Sequence, residues 1–209
     1  MLLGALFTPR ASPVALLGMG AGGLVAPLLQ ALPACQLDAV ELRPRVVAIA
    51  RAWFALPDSS RLRVWVGDAG HYLAGVDRPL ALLLVDLYLG EGMVEQQASR
   101  AFLADCRRVL RPGGLLILNY WSGDPRAAHA LNRVLDEQFP DAVVTLQIPD
   151  GNCIAFAFAG GFPRLERRAF YTAAAALGER LGYPVPADAR LFWRQSGGVF
   201  RRGRRQAAV

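Results

Sequence analysis

The chain has 209 residues, 54% of them hydrophobic, which suits one sizeable domain with its own core and excludes a disordered chain. No apolar run reaches the roughly 18 residues of a membrane span. The apolar opening 1–7 has no basic residue ahead of it and no clear cleavage site, which argues against a signal peptide and for a cytoplasmic protein.

All 23 basic residues are arginine, and the net charge is +6. Arg194, Arg201, Arg202, Arg204 and Arg205 sit near the end, so a frayed basic tail explains much of the excess. No nucleic-acid motif accompanies the charge, and nucleic acid is disfavoured as a partner. Cys35, Cys106 and Cys153 are far apart and lack metal spacing, so they read as reduced structural thiols, and no metal is expected.

Short apolar runs alternate with helix-period stretches, the pattern of βα units on a mainly parallel sheet. The first run, 14–17, leads into a glycine cluster. A helix over 22–32 follows, kinked or delayed by Pro27. The second run, 36–40, ends at Glu41, and Pro44 then opens a helix on which Val46, Val47, Ala50 and Phe54 share a face. The third run, 62–66, ends at Gly67-Asp68, with a short helix over 69–74. The fourth, 80–85, is six apolar residues without alternation, a strand buried on both faces, and it ends at Asp86. A loop over 87–94 and a helix bearing Ala98, Phe102, Cys106 and Val109 come next. Arg111-Pro112-Gly113-Gly114 then turns the chain into a fifth strand, 115–119.

Asp124-Pro125 starts another helix. The style then changes: 142–148 and 153–159 are two strands joined by Pro149-Asp150-Gly151-Asn152, too short for anything but an antiparallel pair. Phe170, Ala174, Leu177 and Leu181 mark a last helix. Beyond Tyr183 the sequence reads as a loop carrying Phe192 and Trp193. The expected division is a cofactor-binding domain over 1–160, with a C-terminal helix and basic tail over 161–209 packed on it or trailing from it.

Ligands of open parallel sheets bind beyond the carboxyl ends of the strands. Four consecutive strand ends carry suggestive residues. Gly18-Met19-Gly20-Ala21-Gly22-Gly23 lets backbone approach a ligand, or is an ordinary glycine turn. Glu41, 23 residues after Gly18, can accept both ribose hydroxyls, or is a solvated strand-end acid. Asp68 can accept from an adenine amino group, cap the helix behind it, or do both. Asp86 is placed to hold and deprotonate an amine nucleophile, the alternative being a turn or capping residue. A nicotinamide dehydrogenase would continue with a further parallel half, and this chain ends in a hairpin instead. Tyr88, Tyr120 and Trp121 flank the expected cleft and either wall an acceptor pocket or pack in the core. His71 and His129 have no evident partner and read as surface residues.

Taken with Val40-Glu41-Leu42-Arg43-Pro44, Val66-Gly67-Asp68-Ala69, Leu83-Leu84-Val85-Asp86 and Leu110-Arg111-Pro112-Gly113-Gly114, the glycine loop resembles that of the spermidine synthase family. That family is a branch of the S-adenosylmethionine-dependent class I methyltransferase fold, and the likeness covers roughly 7–160. It implies a Rossmann-like α/β fold with helices on both faces of a seven-stranded, mostly parallel sheet whose last strand is antiparallel. It implies that Gly18, Gly20 and Gly22 lie against the aminopropyl or amino-acid portion of the cofactor. Glu41, followed by Leu42, would hold the ribose and its surroundings, and Asp68 with Ala69 the adenine. Asp86 matches the family's catalytic aspartate.

The implied cofactor is S-adenosylmethionine or its decarboxylated form, without a metal. The implied partner is a small amine or other small acceptor, with Tyr88, Glu91 and Tyr120 as candidate contacts; a homodimer is left open. Two features depart from the family. Its second acid, three residues after the catalytic aspartate, is here Leu89, and its small N-terminal β-domain is not recognisable ahead of Val14. Aminopropyl transfer, methyl transfer to a small acceptor, and a non-catalytic S-adenosyl-binding module are therefore the competing readings.

Overall fold

A computed structural model of the chain describes residues 1–10, 12–89, 92–93, 95–148 and 151–201. After a one-turn helix α1 (Gly4–Phe7), the chain alternates β1 (Val14–Leu17), α2 (Val25–Ala31), β2 (Leu37–Glu41), α3 (Pro44–Trp53), β3 (Leu62–Val66), α4 (Ala69–Ala74) and β4 (Leu80–Val85). A two-stranded ribbon of β5 (Tyr88–Leu89) and β6 (Gly92–Met93) and a 3₁₀ turn (Glu95–Ala98) precede α5 (Arg100–Arg108). Then come β7 (Leu110–Trp121), α6 (Pro125–Gln138), β8 (Val143–Gln147), β9 (Asn152–Ala159), α7 (Arg167–Leu181) and α8 (Val185–Arg201).

The main sheet has seven strands in the order β3-β2-β1-β4-β7-β9-β8. The pairs from β3 to β7 are parallel, and β9 runs antiparallel between β7 and β8. Right-handed crossovers put α2 and α3 on one face, because β1, β2 and β3 advance in one direction. From β4 the order reverses, so α4, α5 and α6 cover the other face, where they contact one another in sequence. The reversal falls between β1 and β4, and a crevice opens there at the carboxyl ends of the strands. All six residues of β4 and all four of β1 are buried, which is why these segments carry no polar alternation.

Several local details follow from sequence chemistry. Pro27 delays α2, which starts at Val25 and holds the proline in its first turn, where no backbone N–H is needed. Asp68, Ser99, Asp124 and Glu166 each cap a following helix through a side-chain oxygen. The fifth strand is longer than its apolar run: Leu110 pairs with Leu80 and Leu115 with Leu82, so Arg111–Gly114 bulge out between them, with Gly113 at φ 75°.

The segment after Tyr183 is a correction. In place of a loop, α8 runs over Val185–Arg201 and buries Val185, Ala189, Phe192, Trp193, Ser196 and Phe200, a single helical stripe. Its Phe192 and Phe200 join Phe7, Phe156, Phe158 and Phe170 in an aromatic cluster with centroids 5.2–6.3 Å apart. That burial outweighs Pro186 and the Gly197-Gly198 pair, which on propensity alone would discourage a helix.

Candidate functional site

The crevice at the switch point is a cleft of about 380 Å³, within the usual range for small-molecule sites. Its floor is the loop after β1, with Gly18, Met19, Gly20, Ala21 and Gly23. Glu41, Leu42 and Arg43 after β2 form one wall, and Asp86, Leu87 and Tyr88 after β4 the other. A separate hollow of about 200 Å³ includes Pro13, Asp38, Arg63 and Leu80, and none of its residues comes from the strand ends that meet in the crevice.

Glu41 ties two loops together. It is only 5% exposed; its Oε2 accepts from the Gly20 N–H at 3.0 Å and its Oε1 from the Arg43 N–H at 3.1 Å. Each carboxylate oxygen keeps a further acceptor direction. The glycine loop is therefore held by the same carboxylate that faces the cleft, and a diol seated there would complete its hydrogen bonding. Arg43 Nε lies 3.6 Å from Oε1, so this cation is committed to Glu41.

The glycines divide the work differently from the sequence expectation. A Cβ at Gly18 would run into the Asp86 carbonyl oxygen, so this glycine lets the ends of β1 and β4 meet. Gly20, at φ 54°, has no heavy atom within 4 Å of where a Cβ would sit; open space above it leaves the backbone free to meet a ligand. Gly22 packs against Leu56 and is not part of the cleft lining.

Asp68 and Ala69 stand one strand further out. The Gly67 N–H donates to the Glu41 carbonyl at 2.9 Å, so they occupy the same carboxyl edge of the sheet, beside the cleft and outside its lining. Asp68 Oδ1 accepts from the His71 N–H at 3.0 Å, the capping role, and the side chain stays 37% exposed. Leu42 and Val66, both about half exposed, present apolar surface along the same edge.

Asp86 leaves β4 into the cleft. Its Oδ1 accepts from Asn119 Nδ2 at 2.8 Å, and its backbone N–H donates to the Leu17 carbonyl at 2.8 Å. Asn119 was not singled out from sequence. It meets Asp86 because Leu118 pairs with Val85, which puts the next residues of β7 and β4 side by side. Tyr120, expected at the acceptor pocket, is instead fully buried, and its hydroxyl donates to Asn132 Oδ1 on α6 at 2.7 Å. Strand alternation sends residues 119 and 120 to opposite faces, and the face of Tyr120 is the packed one. Glu91 lies outside the described residues.

Burial, and then the nearby Asp86 charge, push the Tyr88 phenol up to about 12. Burial chiefly pushes Tyr120 up to about 12 as well. Both start from 10.0, so between pH about 10 and about 12 the folded chain keeps protons that the unfolded chain has lost. Stability is expected to fall as pH rises through that window, measured by denaturant titration at each pH, and Tyr120→Phe removes its share of the slope.

Comparison with known proteins agrees with this geometry. A methyltransferase-domain family matches residues 14–114. The polyamine aminopropyltransferase of Neisseria meningitidis serogroup A is 31% identical over 144 residues, 68% of this chain and 54% of that protein. Human methyltransferase-like protein 13, solved in complex with SAH, superposes with a TM-score of 0.75 at 24% identity, covering 88% of this chain and 91% of that one. A probable spermidine synthase from Corynebacterium glutamicum superposes with a TM-score of 0.67 at 22% identity, covering 91% of this chain and 76% of that one.

The chain has a spermidine synthase-like class I methyltransferase fold.

It spans about half the length of the curated aminopropyltransferases it matches. In open α/β sheets ligands bind in the crevice at such a switch point, here the cleft between β1 and β4. Sequence reasoning named Gly18, Gly20, Glu41, Leu42, Asp86 and Tyr88 of its lining. It gave no role to Leu24, Arg43 or Leu87 of that lining, nor to Asn119 behind Asp86. For Arg43 a signal was available, since the residue lies two after Glu41 at the start of α3.

Proposed function

We propose that the chain is a transferase that binds an S-adenosyl nucleoside in the cleft and moves an aminopropyl group from decarboxylated S-adenosylmethionine to a small amine. The residues suit such a ligand: open space above Gly20, a buried carboxylate at Glu41, and apolar walls from Met19, Leu24, Leu42 and Leu87. Glu41 would take the ribose hydroxyls, Leu42 and Ala69 the adenine faces, and Asp68 its amino group. The observation that carries the decarboxylated form is electrostatic. Among the described residues lining the cleft the one cationic side chain is Arg43, and its Nε lies against Glu41, while the Met1 amino group, which feels the Asp86 charge, is pushed toward its neutral form by burial; this leaves little positive charge at the Asp86 end to clamp a cofactor carboxylate.

The bound cofactor would supply a carbon activated by sulfonium and a thioether leaving group. Asp86 holds the incoming amine, oriented by Asn119, and accepts its proton as the C–N bond forms and the C–S pair returns to sulfur. Tyr88 closes that end of the cleft and excludes water. The protein's contribution is thus position and one proton transfer, since the leaving group needs no further activation.

Methyl transfer is the second reading. Leu89 at the place of the family's second acid, and the likeness to human methyltransferase-like protein 13, favour it. The deciding experiment is turnover of a panel of small amines with each cofactor form, followed by mass spectrometry of the products. Aminopropylated product with the decarboxylated form supports the proposal. Methylated product alone replaces it with the second reading, and no product with either form leaves a binding module. The proposed setting is the cytoplasm; among the described residues no helix is long and apolar enough to cross a membrane.

A further inference from the structure

The two edges of the main sheet are finished differently. At the β8 edge, α8 supplies a side chain in place of a neighbouring strand: Gln195 Oε1 accepts from the Gln147 N–H at 2.9 Å, and Gln195 Nε2 donates to the Gln147 carbonyl at 3.1 Å. The β3 edge has no such cover, and β3 pairs with β2 alone. The Arg61 carbonyl accepts from the Leu37 N–H, and the Gly67 N–H donates to the Glu41 carbonyl, so residues 61, 63, 65 and 67 turn their backbone groups toward β2. Leu62, Val64 and Val66 turn theirs outward. The Leu62 N–H is taken up by the Ser59 carbonyl, while the N–H groups of Val64 and Val66 have no partner among the described residues. Open edges are usually blunted by lysine, proline, a bulge or a covering element. In β3 the single charged side chain, Arg63, is folded onto Asp38 on the α4 face, beside Trp65, whose ring meets Tyr72.

Leu62, Val64 and Val66 point to the opposite face, the one that carries α3. There Ile49, Trp53 and Phe54 of the α3 region stand in solvent, Trp53 at 81% exposure. We propose that this edge is an interface for a second copy of the chain, joined β3 to β3 as an antiparallel, two-fold pair centred on Val64. The occupant follows from the strand's own symmetry. About Val64 its five residues are self-complementary: Leu62 falls opposite Val66 of the second copy, Val64 opposite Val64, and Arg63 opposite Trp65. Each cross-strand pair is then apolar or sets a cation against an indole, and no like charges meet. The two Val64 residues exchange two N–H···O bonds, and each Val66 N–H donates to the Leu62 carbonyl across the axis, so the outward donors are all satisfied. The two α3 helices come side by side over the joint. Covering Trp53 and Phe54, side chains of about 150–250 Å² each, supplies a substantial share of the roughly 800 Å² that each partner of a stable pair contributes.

The test reads the oligomeric state of the whole chain by sedimentation equilibrium, and the contact itself by cysteine cross-linking. Wild type is expected to be a dimer at micromolar concentration. Val64→Lys sets two ammonium groups opposite each other on the axis and is expected to weaken the dimer by about 10-fold or more. Val64→Thr keeps the β-branched shape and is expected to keep the dimer. Circular dichroism and urea denaturation of the same samples report that the variants are folded. Val64→Cys is expected to cross-link to its own counterpart on mild oxidation, since a hydrogen-bonded pair places the two Cα atoms about 5.5 Å apart, within disulfide reach. The native Cys35, Cys106 and Cys153 are buried, so wild type is expected not to cross-link. A monomeric wild type overturns the proposal. So does a dimer in which Val64→Cys fails to cross-link or which a folded Val64→Lys leaves intact, because such a dimer uses another face.

Discussion

Asp86→Asn is expected to lower kcat by about 10²- to 10⁴-fold, the usual contribution of a positioned proton acceptor. The substitution is chosen to isolate that contribution. Asparagine has the shape of aspartate and keeps an oxygen for Asn119 Nδ2, so the 2.8 Å contact and the Leu17 backbone hydrogen bond survive. What disappears is the ability to attract an ammonium and to take its proton. Because the thioether leaves without help, a deficit in this variant belongs to the nucleophile's side of the reaction. Steady-state kinetics with the amine and cofactor identified by the turnover panel gives the result, with methylthioadenosine affinity as the control. Full turnover in Asp86→Asn would remove Asp86 from the chemistry.

Glu41→Leu is expected to act on both stability and binding. The Gly20 and Arg43 N–H groups lose their carboxylate acceptor, and each hydrogen bond to a charged group is worth about 1.5–3 kcal/mol. Two such losses together are a large share of the about 5–15 kcal/mol that holds a domain folded. The glycine loop also loses its tie to β2, and the ribose loses its carboxylate. Nucleoside affinity should therefore drop by about 100-fold or more. Glu41→Gln separates the two effects. It keeps an acceptor for one of the N–H groups but turns an NH₂ toward the other, so it should fold better than the leucine variant and still bind weakly. Urea denaturation reports the first effect and calorimetry the second.

The contrast between Glu41 and Asn119 shows what could be read from the chain. Glu41 was legible because it closes an apolar run at a fixed distance from a glycine turn, and both signals are local. Asp86 was legible in the same way, as the first polar residue after six buried ones. Asn119 was not, because its importance comes from strand register: only when Leu118 is known to pair with Val85 does residue 119 fall beside residue 86. Tyr120 was misplaced for a related reason. The run before it is apolar on both faces, so nothing in the local pattern says which side each residue takes.

The same division holds for the fold. The parallel strands announced themselves as short apolar runs, buried without a break in β1 and β4, and the short joint before β9 forced an antiparallel pair. Helix α8 was hidden because its own residues argue against it, and it forms through aromatic contacts with Phe7, Phe156 and Phe170, the first of them at the opposite end of the chain. Gly18 looked like a ligand contact and is first of all a packing necessity between strand ends, a distinction only the approach of the Asp86 carbonyl reveals.

Titration of methylthioadenosine into the wild-type chain and into Glu41→Gln, followed by calorimetry, bears most directly on the cleft as a nucleoside site. This nucleoside carries the ribose, adenine and sulfur common to every candidate cofactor. Saturable one-to-one binding by wild type, much weakened in Glu41→Gln, is the expected result. No binding by a folded wild type, or equal affinity in the two proteins, would contradict it.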